Sequence, residues 1–451
     1  MLCSCGGSET DGELTVTATV TAAPVTSASE TQTSASETVT EKSVTETQTV
    51  SETQTVTETE TQTVTYESSM PETEKPADTH TVTETQTQKQ TEKATEAPAG
   101  ELTAEKALSM LSLREKVCQV FMLRFDGLLF NDNSDHAVRY MTDYFKRCVA
   151  NYPIGGYIAM GDNLVNAAQI TALNRDVSAL YTVKPFLCTD EEGGLVSRIA
   201  NNKGFDVPTF PNMNSIAASG DTNKAYELGS TISGYLKEYG FNLDLAPVAD
   251  VNTNPLNIVI GARAFGSDPA KASGFVSAAV DGLHSGGIMS CLKHFPGHGD
   301  TAEDTHYMTA AVNKTWEQMK SCELIPFIGS LDKTDMVMAA HIIAPQVTGD
   351  DTPASLSYTL LTEKLRKELG FDGVIITDAL AMKAVSKLYS PEQSCIESFK
   401  SGADILLAPE KPYQCIEAMI AAVNSGEIST DRLDESVLRI LKLKEKYGML
   451  G

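Results

Sequence analysis

The stretch KHFPGHGDTAEDTH, residues 293–306, holds three of the chain's seven histidines together with Lys293, Asp300 and Asp304. A run this polar, broken by Pro296 and two glycines, does not pack a core. Three readings fit it: metal ligation, acid–base catalysis, or a solvated loop. For a metal, His294 and His298 have the i, i+4 spacing of helical zinc sites, and Asp300, Asp304 and His306 can complete the ligand set. Pro296 and Gly297 break the helix that would align the first two histidines, however, and Lys293 sets a cation beside the ion. The metal reading is therefore disfavoured, and no cofactor is expected. For acid–base work, Asp304-Thr305-His306 places a carboxylate two residues from an imidazole. A hydrogen bond between them would fix the tautomer, raise the ring's pKa and leave the other nitrogen to hand over a proton. The natural counterpart is Asp378, which ends the apolar run GVIITD (373–378) and has no basic neighbour before Lys383. It is a nucleophile candidate, with an N-cap for the following helix as the structural alternative.

These groups must be held by the segments around them. From about residue 101 the sequence alternates short apolar runs with amphipathic, helix-like stretches. The runs are VFMLRFDG (120–127), IGGYIAM (154–160), PFLCTD (185–190), NLDLAPVAD (242–250), IMSCLKHF (288–295), MVMAAHI (336–342), GVIITD (373–378) and ADILLAP (403–409). Each is flanked by Gly, Pro or Asp, as expected for strands buried on both faces. Helices such as LLTEKLRKELG end on a glycine, a C-cap signal. Eight strands alternating with helices predict an α/β fold, a (β/α)8 TIM-type barrel. The alternative is an open doubly wound sheet, but no GxGxxG opens the first helix. In this frame Asp190, Asp250, Lys293, His294, His341 and Asp378 all fall at the C-terminal ends of strands. That end forms the active-site mouth of a barrel, so the pattern favours an enzyme.

Residues 1–100 are a different material. They carry 17 acidic residues and four lysines, one aromatic (Tyr66) and two leucines (Leu2 and Leu14), with near-repeats of TETQTV. Such a segment cannot bury enough apolar surface to offset the entropy of ordering, so residues 8–100 are expected to be a disordered, low-complexity Thr/Ser/Glu-rich tether. At roughly 5–6 Å × √n it would reach on the order of 50–60 Å. The whole chain, 451 residues with a net charge of -25, lacks the concentrated basic surface that nucleic acid requires. Its nine cysteines include no CxxC pair, and those of the folded part read as small buried hydrophobes.

The motifs KHFPGHGDTAEDTH, DEEGGLVSR (190–198), LAPVADVN (245–252), IGARAFGSDP (260–269), PASLS (353–357) and GFDGVIITDALAM (370–382) occur in the order found in the glycoside hydrolase family 3 β-N-acetylglucosaminidases. The resemblance covers residues 101–451. It implies a barrel catalytic domain and a retaining mechanism, with Asp378 as nucleophile and the pair Asp304 and His306 as acid/base. It further implies sugar-hydroxyl contacts for Asp190, Arg198, Arg263, Lys293 and His294. His298 would shape the histidine loop, and Asp250 would hold the lysine and the arginine. The implied reaction removes non-reducing β-linked N-acetylglucosamine from cell-wall (peptidoglycan) fragments or chitin-like oligosaccharides. The alternatives are a β-glucosidase, a phosphorylase sharing the same glycosyl-enzyme, or a sugar-binding barrel without activity. Leu195, Thr305 and Ala379 depart from the commoner residues of these motifs without removing a group the mechanism needs. Many family members take their acid from a second domain. With LRILKLKEKYGMLG read as the final barrel helix, the acid is expected from a barrel loop.

The opening MLCSCGGSE resembles the lipobox of bacterial lipoproteins, with Cys5 as the lipidated residue and residues 1–7 as its remnant. The basic and apolar regions that precede such a cysteine are missing, so either the chain begins late in its reading frame or the match is accidental. Taken together, the expectation is a monomeric, extracellular cell-surface lipoprotein, anchored to the outer face of the cytoplasmic membrane and acting on carbohydrate.

Overall fold

The computed structural model describes residues 102–128, 138–301 and 310–451, all within one compact unit, Glu96–Gly451. Cys5, the tether over 8–100 and the pair Asp304 and His306 lie outside the described residues.

Every one of the eight apolar runs forms a strand. They are β1 (Phe121–Arg124), β2 (Gly156–Ile158), β3 (Phe186–Thr189), β4 (Leu243–Asp244), β5 (Cys291–Phe295), β6 (Met336–Ala339), β7 (Val374–Thr377) and β8 (Leu406–Leu407). All pair in parallel, which bears out the α/β class. Ladders join β8, β1, β2, β3 and β4 in that order, and β5, β6 and β7 in theirs. Parallel bridges complete the circuit, from Leu243 to Met289 and Val248 to Lys293 on one side and from Ile376 to Ile405 on the other. An open sheet would leave two edges unpaired, whereas here the last strand pairs with the first. The strands are short and rich in Val, Ile, Leu and Phe, and nearly every residue in them is buried, because helices cover the outer face while side chains fill the inner one. One large apolar core runs through the unit, with a small second cluster of Val248, Ile260 and Ala264 beside it among the described residues. Two small pairings were not anticipated: an antiparallel hairpin, Glu191–Gly193 with Val196–Ser197, and a parallel pair, Ala310–Ala311 with Ile342–Ile343.

Two helices set the spacing of the third to fifth strands. Helix α1 (Asn223–Glu238) connects β3 to β4, and α2 (Pro269–Ser285) connects β4 to β5. Asp268 caps α2 by accepting from the Ala270 and Lys271 amides, and Pro269 occupies the first turn, where its missing N–H costs nothing. The helices meet backbone to backbone at Gly229 and Gly282. A Cβ on Gly229 would lie 2.5 Å from the Ala279 carbonyl oxygen, and one on Gly282 would lie 2.3 Å from that of Tyr226.

The last helix, α3 (Thr430–Lys446), buries a lysine completely. Lys444 donates to Gln119 Oε1 at 2.8 Å and to the Gly155 carbonyl at 3.0 Å, over the Phe186 ring. No carboxylate among the described residues pairs with it, and burial pushes its ammonium from 10.5 down to about 7. The unfolded chain therefore binds more protons than the folded one between those values, and this group's contribution to stability grows as pH rises from about 7 toward 10.5. We expect Lys444→Met to flatten that rise, measured as melting temperature against pH from neutral to 10. Parallel profiles for the two proteins would refute a titrating Lys444.

Candidate active site

Because all eight strands run the same way, the residues at their C-terminal ends share one face, and closure of the sheet gathers them around one mouth. Asp190 follows β3, Asp250 lies beyond β4, Lys293 and His294 sit in β5, His341 follows β6 and Asp378 follows β7.

The floor is built by the hairpin after β3. Gly193 and Gly194 adopt positive φ, +88° and +61°, and this turn brings the chain back so that the Arg198 amide donates to the Asp190 carbonyl. Glu191 is buried and pins the returning strand, accepting from the Ile199 and Ala200 amides and the Tyr235 hydroxyl. One residue further, Glu192 points the opposite way, as successive residues on a strand must. Its carboxylate takes a two-pronged bond from Arg263, at 2.8 Å from Nε and 2.7 Å from Nη2, and lies 2.6 Å from Lys293 Nζ. Lys293 also reaches Asp190 Oδ1 at 3.0 Å. Arg198, still 42% exposed, lies 3.4 Å from the other oxygen of Asp190.

Burial alone would raise the Glu192 pKa, but Lys293 and Arg263 outweigh it and hold the carboxyl at about 2. Burial alone would lower Lys293, and Asp190 and Glu192 instead hold its ammonium above the usual lysine range. Buried ion pairs cost so much desolvation that they rarely earn their place through stability. What this cluster secures is position: two fixed cations and two fixed carboxylates, with Asp190 and Arg198 open to a polyol.

Asp250 does different work from that expected. Its carboxylate accepts from His294 Nδ1 at 2.7 Å, from the His294 amide and from the His298 amide at 2.6 Å. The expectation that it holds the lysine and the arginine is thus corrected: the main chain of the histidine stretch wraps around it and occupies its oxygens. The bond fixes the His294 tautomer, leaving Nε2 to accept from Arg263 Nη2 at 3.4 Å. Asp250 is 1% exposed and acts through His294. His298 is also buried, with Nδ1 at 2.8 Å from the Thr301 hydroxyl, and its carbonyl accepts from Asn257. The rings of His294 and His298, the pair considered for a metal, stand 6.1 Å apart with both Nδ1 atoms engaged. Among the described residues no group of three potential ligands comes together.

Asp378 is partly exposed at the end of β7. Its backbone N–H donates to the Ala339 carbonyl, and its Oδ1 accepts from the Ala379 amide at 2.7 Å. Burial raises its pKa, but His341, His294 and the Ala379 amide outweigh that and keep the carboxyl below its usual range. His341 is held on both sides, by Ser355 of the PASLS motif at 2.7 Å and by the Ala379 carbonyl at 2.9 Å. A carbonyl only accepts, so Nε2 carries the proton there. The result is a carboxylate fixed in orientation and kept in its charged form by His341, His294 and Lys293, which is what a nucleophile requires.

The structure thus brings Asp190, Arg198, Arg263, Lys293, His294 and Asp378 together, with Asp250 and His298 behind them. Sequence reasoning missed Glu192. The signal was present: in DEEGG, a period of two puts Glu192 on the same side as Asp190.

The sequence matches the Glycosyl hydrolase family 3 N terminal domain over residues 112–443. It is 34% identical over 328 residues to "Beta-hexosaminidase A" of Pseudoalteromonas piscicida, covering 66% of this chain and 54% of that protein. The "Beta-hexosaminidase" of Idiomarina loihiensis is 32% identical over 284 residues, covering 62% of this chain and 84% of its own length. Among solved structures, a glycoside hydrolase family 3 beta-N-acetylglucosaminidase from Paenibacillus sp. str. FPU-7 superposes with a TM-score of 0.69 at 35% identity, over 75% of this chain and 63% of that one. The chain therefore spans about half the length of the Pseudoalteromonas protein and under two thirds of the Paenibacillus one.

Proposed function

Because the chain belongs to glycosyl hydrolase family 3, we propose that it is a retaining, exo-acting β-N-acetylhexosaminidase built on a (β/α)8 TIM-type barrel. Its substrates are non-reducing β-linked N-acetylglucosamine ends of cell-wall or chitin-like oligosaccharides. The observation that carries this reading is the Asp378 carboxylate at the end of β7, fixed by the Ala379 amide and held below the usual carboxylate range by His341, His294 and Lys293. The names of the two relatives, beta-hexosaminidases, and of the Paenibacillus beta-N-acetylglucosaminidase support the N-acetylhexosaminide part of this reading.

In the proposed reaction, Asp190, Arg198, Lys293 and His294 hold the sugar's hydroxyls while Asp378 attacks the anomeric carbon. The C–O bond to the leaving group breaks as that oxygen takes a proton from His306, which Asp304 orients. Water, deprotonated by the same imidazole, then displaces Asp378 and restores the β configuration. Asp250 and His341 act as positioning residues through His294 and Ala379.

A chromogenic β-N-acetylglucosaminide should be turned over at least about tenfold faster than the matching glucoside, with the first-formed product in the β configuration by NMR. Equal turnover of the glucoside, or an inverted product, would overturn the assignment. Run on washed whole cells, the same assay tests the surface location proposed for a Cys5-anchored protein. Activity is expected on intact cells, and activity released only by lysis would refute that location.

A further inference from the structure

Against the hairpin that forms the sugar-binding floor lies a carboxylic acid that the proposed reaction does not use. Asp244 ends β4 and is fully buried. Its Oδ1 accepts from the Glu191 amide at 3.0 Å, and Glu191 is the residue between Asp190 and Glu192. Both of those neighbours hold Lys293, and Glu192 holds Arg263 as well. One hydrogen bond therefore sits at the root of the whole ion-pair cluster. Asp244 is itself anchored, since its backbone N–H donates to the Met289 carbonyl and it pairs with Thr189 across the ladder from β3 to β4.

The other oxygen, Oδ2, is buried and has no hydrogen-bond partner among the described residues. Asp244 also lines a cavity of about 10 Å³ where the hairpin meets α1 and α2, room for a single water. The wall is mostly apolar, with Leu228 and Ile232 from α1 and Leu283 from α2, but Glu192 belongs to it too. A carboxylate offers about four acceptor sites, and the contacts of Glu192 with Arg263 and Lys293 fill three. Burial pushes the Asp244 carboxyl well above its usual range, helped by the Glu191 and Asp190 carboxylates and opposed by the Glu191 amide and Lys293. In the neutral acid Oδ1 accepts from the amide and Oδ2 carries the proton. An O–H donor in a mostly apolar pocket needs an acceptor. A water in the cavity supplies it, and can donate onward to the remaining site on Glu192.

We propose that Asp244 is a positioning residue of the sugar-binding floor, which holds the hairpin by one oxygen and an internal water by the other. The kinetic part of this rests on the hexosaminidase reading, and the water does not. The test compares wild type with Asp244→Asn and Asp244→Leu. Asparagine keeps an acceptor for the Glu191 amide and sets an N–H donor where the O–H stands, whereas leucine has neither. With a chromogenic N-acetylglucosaminide, KM should stay within about twofold of wild type for Asp244→Asn and rise roughly tenfold for Asp244→Leu. In both variants kcat should remain within about threefold, because the floor shifts and Asp378 does not. A crystal structure of the wild-type protein, at a resolution that shows ordered water, should place one within hydrogen-bond distance of Oδ2. A leucine variant with wild-type KM, or an asparagine variant that loses as much as the leucine one, would overturn the positioning role. A dry cavity in the wild-type crystal would overturn the proposal too, and that readout stands even where Asp244→Leu does not fold. A wild-type protein that carries the water but is inactive on every N-acetylglucosaminide would instead overturn the hexosaminidase reading and leave the hold of Asp244 on the hairpin intact.

Discussion

Asp378→Asn is expected to lower kcat on the order of 10⁴-fold or more while leaving the melting temperature close to that of wild type. The amide keeps the shape and can still accept from the Ala379 N–H, which bonds Oδ1 at 2.7 Å, but it has no charge with which to form the glycosyl-enzyme. The charge has only a limited part in stability, through the field of the nearby histidines and Lys293 that lowers its pKa, because the carboxylate is partly exposed and its amide contact survives in the variant. Asp378→Gly adds a second arm. The shortened side chain admits azide, which can attack from the vacated face and give a glycosyl azide of inverted configuration. Near-normal turnover by Asp378→Asn, or failure of azide to restore any reaction in a folded Asp378→Gly protein, would remove the nucleophile from this position.

The second large effect is expected at Glu192, which no motif reading singled out. Glu192→Gln leaves Lys293 and Arg263 buried with one carboxylate fewer between them. Removing one partner of a buried pair costs roughly 3–5 kcal/mol, because the remaining charge keeps its desolvation penalty. The cations will move toward Asp190 or solvent, and a displacement of about 1 Å at a binding group is worth on the order of 10² in kcat/KM. The loss should appear mainly in KM, since these groups grip the sugar before and during the reaction. A pH signature separates this from general damage. The folded pKa of Glu192 is depressed from 4.5 to about 2, so its contribution is complete above 4.5 and is lost as pH falls toward 2. Unfolding of Glu192→Gln should therefore be less sensitive to acid across that window. A variant within twofold of wild type in both KM and acid stability would show that Asp190 alone suffices to hold the two cations.

The strands were legible because each is a short apolar run closed by Gly, Pro or Asp, and burial on both faces leaves no alternation to misread. Their lengths were less so. NLDLAPVAD reads as one long strand, yet its regular part ends at Asp244 and parallel pairing returns only as the bridge from Val248 to Lys293, just past Pro247, which has no N–H to donate. Asp378 and the Lys293-His294 pair were legible from position alone, since a polar residue ending a buried parallel strand faces the mouth. The role of Asp250 was not. Its partners come from the histidine stretch some 44 residues later, and only the fold decides which donors reach a given carboxylate. Ser355 lay inside a recognised motif without a stated purpose, and its bond to His341 supplies one.

The contact between Gly229 and Gly282 has a reach beyond the two helices that make it. The segments those helices join carry Glu192, Arg263 and Lys293, so the distance at which the helices seat is also the gauge to which the sugar-binding floor is cut. A methyl group at either glycine must drive one helix outward bodily, because it meets backbone rather than a side chain that can swing aside. The tolerance of the mouth is thus machined on the far side of the wall, by two hydrogen atoms that no substrate ever touches.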